Sequence, residues 1–226
     1  MLGPDDCLVW DGAAFAAVPH YRPILPGGAQ LLPAGGFTVT PEAVSRYTRA
    51  MVMNPRISAF LAPGIIHHGY RRGEGRWLHE IMLEHQPDIA AAYEPRFREF
   101  HGTGLAFAAH SRKHVIYAQL RDEDETYGTI CHELFHTVYA NIPECQLEEL
   151  EDFGDAIREA NNSADPSHDD VRSVSWIMDS EEAEAYAFGR YAQGFRIPFG
   201  LKLPGRVRAT FDRALRGDFA HHMLRS

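Results

Sequence analysis

His132-Glu133-Leu134-Phe135-His136 is the stretch that most constrains what this chain can fold into. Two histidines four residues apart share one face only on a helix, where four residues make about one turn. The neighbours agree. Ile130, Leu134, Phe135 and Val138 form an apolar stripe of helical period, so the segment also has a side to bury. Charged groups on such a helix are costly to place without partners. Two imidazoles on one face can bind one Zn²⁺. Glu133 cannot easily join them as a ligand. It can reach a metal-activated water, act as general base, and pass the proton to a leaving amine. With 13 His in the chain, composition alone predicts only about 0.06 such patterns by chance.

A hydrolytic zinc site needs a third protein ligand and one open position. The metzincin pattern would place Gly and then His shortly after His136, but Tyr139 and Ile142 stand there. The ligand is therefore expected from a later helix. Ser180-Glu181-Glu182-Ala183-Glu184-Ala185-Tyr186-Ala187-Phe188 combines acids with a well-formed helical pattern. If Glu182 faces the metal, it shares its face with Ala185, Tyr186 and Gly189, and small residues there let two helices approach closely. Glu181 and Glu184 are then expected to point elsewhere, toward solvent. Asp179, Asp155, Asp152 and His168 are the competing ligands.

The rest of the chain sets the frame. Residues 1–40 are rich in Gly and Pro and read as an irregular arm or short strands. Thr40-Pro41-Glu42 is a helix start, with Thr as the cap, Pro in the first helical position and Glu in the first turn. That helix is expected to end near Met53. Further helices are expected over 75–86 and on to about 100, giving a helix-rich N-terminal part. Residues 103–110 and 114–120 are β-forming runs around Ser111-Arg112-Lys113 and read as a hairpin. The acidic turn from Asp122 to Glu125 suits a helix N-terminus. Helices are expected over 145–160 and 179–193, a loop over 161–170, and a basic helical tail from about Pro204.

Composition excludes several classes. A net charge of −9 and a pI near 5.8 argue against nucleic acid or an anionic membrane as partner. No apolar run reaches about 18 residues, so no membrane span is expected. Cys7, Cys131 and Cys145 have no motif spacing and read as reduced thiols of a cytoplasmic protein. Asp5 and Asp6 stand where a signal peptide needs basic residues. Export without a cleavable signal stays open. At 226 residues a single domain is the expectation, with 1–100 as arm and helices, 103–195 as metal-binding core and 196–226 as tail.

His-Glu-x-x-His followed at long range by Glu-x-x-Ala-x-x-Phe (Glu182, Ala185, Phe188) resembles the zincin-like metallopeptidases of gluzincin type. The second segment is similar to the third-ligand helix of lethal-factor-type toxin protease domains and of ImmA/IrrE-like peptidases. The resemblance covers about residues 103–195. It implies an α+β zincin fold: a small mixed sheet, an active-site helix carrying the motif, and a second ligand-bearing helix. It also implies that the strand before the motif helix is an edge strand that binds substrate in extended form. Two departures stand out. Tyr186 occupies the position where many gluzincins place an Asp or Asn that orients a ligand His. No Tyr stands upstream where a lethal-factor-like site would hold the oxyanion; Ser175 and Trp176 are near that place. Asp179, Asp155 or a backbone carbonyl is the expected replacement orienter. For the oxyanion, Tyr186 heads the candidates, followed by Tyr191, His168, His221 and His222.

The reading is a zinc metallopeptidase with His132, His136 and Glu182 as ligands, Glu133 as general base and a peptide or protein as substrate. The alternatives are a zincin-fold sensor or binding module whose metal is structural or absent, and a metal-dependent amidase acting on a non-protein amide.

Overall fold

A computed structural model describes residues 6–19, 31–33, 39–52, 57–63, 65–67, 87, 104–109, 113–120, 123–165 and 179–219. The chain divides into two compact units, Met1–Thr129 and Ile130–Ser226. The expected core over 103–195 therefore runs across the boundary.

The first unit is built on a mixed sheet. Its strands are β1 (Asp6–Trp10), β2 (Phe15–Pro19), β4 (Ile57–Pro63), β6 (Gly104–Ala109) and β7 (Lys113–Leu120), in the order β2-β1-β4-β7-β6. Only the β4–β7 pair is parallel, with Ile57 opposite His114 and Leu61 opposite Ala118. β3 (Leu31–Pro33) and β5 (Ile65–His67) make a separate antiparallel pair. The expected hairpin over 103–120 is present: β6 pairs with β7 antiparallel, Phe107 opposite Val115. The expected edge position of the strand before the motif helix is overturned. β7 lies between β4 and β6. Val115, Ile116, Tyr117 and Ala118 are consecutive and all fully buried, so β7 is covered on both faces as an interior strand must be.

Helix α1 (Pro41–Val52) begins where the Thr-Pro-Glu signal places it. The Ala43 N–H donates to Thr40 Oγ1 at 3.1 Å, and Thr40 Oγ1 donates in turn to Glu123 Oε1 at 2.6 Å. Tyr47 and Met51, one turn apart, bury the helix against the unit's core, where Tyr47 meets the edge of Phe15. The helix-rich N-terminal part is not what the described residues hold. Before residue 104 they contain five strands and this one multi-turn helix, because the Gly- and Pro-punctuated segments pair as short strands. The helices expected over 75–100 lie outside the described residues, apart from a single helical position at 87.

Among the described residues four α-helices follow: α2 (Glu123–Tyr139), α3 (Glu144–Ser163), α4 (Ser180–Ala192) and α5 (Gly205–Leu215). All four match the sequence reading to within a few residues. In the second unit an aromatic cluster joins three of them. Phe135 of α2 lies 4.9 Å from Phe188 of α4 and 5.6 Å from Phe211 of α5, ring centre to ring centre. Such pairs contribute about 0.5–1.5 kcal/mol each beyond area burial. Phe135, the buried neighbour of His136, thus anchors α2 against α4 and α5. All three cysteines are free; Cys7 and Cys131 are buried and Cys145 is exposed. Among the described residues no helix is long and apolar enough to cross a membrane.

Candidate metal centre

The metal-face residues of α2 and the first turn of α4 converge within the second unit. His132 Nε2 and His136 Nε2 stand 3.1 Å apart. Glu182 reaches both, with one oxygen 3.2 Å from His132 Nε2 and the other 3.6 Å from His136 Nε2. These three side chains form the one group among the described residues able to hold a metal ion, their ligand atoms all lying within 4.8 Å of one another. The i, i+4 spacing presents the two imidazoles together, with ring centres 4.8 Å apart. Side-chain exposures of 13%, 19% and 35% for His132, His136 and Glu182 leave the cluster open on one side.

The first turn of α4 is held from two directions. Asp179 caps it, accepting from the Glu182 N–H at 2.9 Å. That is the role of this residue, which sequence reasoning had as a competing ligand or an orienter. Asp155 has a similar explanation: it accepts from Ser180 Oγ at 2.5 Å and from Arg158 at 2.9 Å. Those donors hold its carboxyl below the usual carboxylate range. Asp152 is exposed on α3 and stands outside the ligand group. Gly154 of α3 supplies the close approach. A Cβ there would stand 2.6 Å from the Ser180 carbonyl oxygen and 2.9 Å from Glu184 Oε1.

Two acids differ from the sequence expectation. Glu181 does not point to solvent. Its Oε1 accepts from His136 Nδ1 at 2.8 Å. Sequence reasoning had expected Asp179, Asp155 or a backbone carbonyl as the partner of a ligand histidine; the carboxylate that meets His136 Nδ1 is Glu181. Glu184 is fully buried. Its oxygens make no hydrogen bond of good geometry among the described residues. Burial, reinforced by Glu181, Glu151 and Asp155, pushes its carboxyl up to about 8, the nearby Tyr139 hydroxyl offsetting only part of this. A helical signal for both was available. Successive helix residues are about 100° apart, so Glu181 and Glu182 flank the small-residue row of Ala185 and Gly189. Glu184 shares an i, i+4 stripe with Phe188, which is buried.

Burial works against a charge on His136, but hydrogen bonds to Glu181 and Glu182 and the nearby Glu133 carboxylate outweigh it and push the imidazolium up to about 10. Burial likewise opposes a charge on Glu182, and its two histidine partners prevail, holding its carboxyl well below the usual range.

Glu133 is buried, one residue along from His132. Tyr186 sits one turn past Glu182, and its hydroxyl accepts from Arg190 Nη1 at 3.4 Å. Tyr191 donates to Asp212 Oδ1 at 2.6 Å and so serves the packing of α4 on α5. His168, Ser175, Trp176, His221 and His222 lie outside the described residues. No family model matches the chain, and no curated protein or solved structure matches it significantly.

Proposed function

We propose that the chain is a zinc-dependent metallopeptidase of zincin-like, gluzincin-type fold, with His132, His136 and Glu182 as ligands. The observation that carries this reading is their convergence. Donor atoms bound tetrahedrally to zinc at about 2.0–2.1 Å stand about 3.3 Å apart. Here the two imidazole nitrogens stand 3.1 Å apart, and Glu182 reaches them with separate oxygens, at 3.2 and 3.6 Å, so the carboxylate spans both ligand nitrogens. Nitrogen, nitrogen and carboxylate oxygen is a zinc donor set, and three protein ligands with one side open is the catalytic form of such a site, whereas structural sites are closed by four.

Zinc held there would supply Lewis acidity, making a water nucleophilic at neutral pH and polarising the scissile carbonyl. The chain's own groups do the rest. Glu133, on the motif helix beside the ligands, takes the proton of the attacking water and returns it to the leaving amine. Its burial shields the carboxylate from bulk water. Tyr186, on the Glu182 side of α4, is the hydroxyl we assign to the developing oxyanion; the Arg190 donor orients its ring. The substrate is a peptide or protein segment.

Metal content and cleavage test the reading together. Protein purified without chelators is expected to carry about one zinc per chain, and His136→Ala to lose it. Glu133→Gln is expected to keep the metal and the fold and to lose about 10²–10⁴-fold in peptide cleavage. Wild-type protein without stoichiometric metal would sink the proposal. One observation favours a second reading, a binding module with a structural metal: Tyr186 is engaged by Arg190 on its own helix. Biological activity that survives Glu133→Gln decides for the module. Cleavage of non-protein amides but no peptide decides for an amidase.

A further inference from the structure

We propose that Glu181 is the positioning residue of the metal centre, fixing the tautomer and tilt of His136; the inference rests on the metal reading above. His136 uses its two ring nitrogens on opposite sides. Nδ1 donates to Glu181 Oε1 at 2.8 Å, and Nε2 faces His132 at 3.1 Å and Glu182 at 3.6 Å. A carboxylate acceptor at Nδ1 keeps the proton there, which leaves the Nε2 lone pair for the metal and makes it more basic.

The same helix turn therefore supplies a ligand and the orienter of another ligand. Adjacent residues on α4 diverge by about 100°. Glu182 can meet the Nε2 side of the cluster while Glu181 passes to the Nδ1 side of the same ring. Asp179 at the N-cap and the Gly154 contact hold that turn in place, so both carboxylates are aimed by one rigid element. Tyr186, one turn further on, is left without the orienting role: a phenol accepts from an imidazole N–H less strongly than a carboxylate does. A purely structural ion pair is the competing account. The Glu181 side chain is 43% exposed, and exposed pairs add little to stability. The two accounts thus differ in what they predict for metal affinity.

The experiment compares wild type, Glu181→Ala and Glu181→Gln. Zinc affinity is measured by chelator competition at fixed pH, and the cobalt-substituted protein is followed by its visible absorption. Glu181→Ala is expected to lose about 10–100-fold in zinc affinity and to shift the cobalt bands. Glu181→Gln keeps an acceptor oxygen at the same length, preserves the fold, and is expected to fall between the other two. If both variants bind zinc within about twofold of wild type with unchanged cobalt bands, Glu181 has no positioning role. If wild type itself binds no zinc, the metal reading falls and this inference with it, a result distinct from variants that match a zinc-binding wild type.

Discussion

A Cβ placed on Gly154 would lie 2.6 Å from the backbone carbonyl oxygen of Ser180. That carbonyl opens α4, and two residues later the same turn carries Glu182. No side-chain rotation relieves a clash with backbone, so Gly154→Ala must push α3 and α4 apart. Overpacking of this kind costs about 1–3 kcal/mol, against a gain of about 0.5–1 kcal/mol from helix propensity. The variant is expected to melt a few degrees lower. It is also expected to bind zinc more weakly than wild type, because the displaced turn carries both Glu181 and Glu182. Calorimetry and chelator competition check the two effects; a variant more stable than wild type, with full zinc affinity, would remove the close approach from the account of the site.

Glu184 makes stability depend on pH in a direction opposite to ordinary acids. Its folded-state value is raised, to about 8 from 4.5. A group so raised contributes fully below its unfolded value, and the contribution is lost as pH rises through the folded one. Its share of stability should therefore decline between about pH 4.5 and 8. Glu184→Gln cannot ionise. Chemical denaturation from pH 4 to 9 is expected to show it gaining on wild type as pH rises and levelling off above about pH 8. Parallel curves for the two proteins would mean that the carboxyl is not buried in solution.

On the proposed zinc reading, zinc and protons compete for His136. In the metal-free protein the imidazolium persists up to about 10, so at neutral pH a proton must leave before Nε2 can bind. Zinc binding is expected to release about one proton per site at pH 7. Affinity should strengthen as pH rises toward 10 and collapse in acid. Titration calorimetry in buffers of differing ionisation enthalpy reads the proton directly. His136→Ala removes both the release and the tight binding.

Much of the local structure was legible in the residues. The Thr40 cap, the 104–120 hairpin and the four helices from Glu123 onward sit where turn residues, caps and periodicity place them. His132 and His136 meet because i and i+4 always meet on a helix. Glu182 was reachable by one further step, since Ala185 and Gly189 mark the side of α4 that another helix can approach. Its immediate neighbours carried only a positional signal, beside that row for Glu181 and on the stripe of Phe188 for Glu184. Both read as solvated acids by composition, yet one accepts from His136 and the other is sealed against Gly154. The interior place of β7 was half written in Val115-Ile116-Tyr117-Ala118, an unbroken apolar run suited to a strand covered on both faces. What sits on either side of it was not.

The division follows the range of the forces. Periodicity, capping and turn chemistry act over a few residues, so the amino-acid sequence alone determines that there is a motif helix, which histidines share its face, and that a later helix offers acids beside small residues. The β1–β4 pairing and the parallel β4–β7 pairing join residues more than fifty positions apart. Whether an acid on α4 meets an imidazole or is buried as a carboxyl depends on what α2 and α3 bring beside it. Those choices belong to the tertiary structure, because the desolvation and pairing that settle a carboxylate's role are set by neighbours distant in the chain.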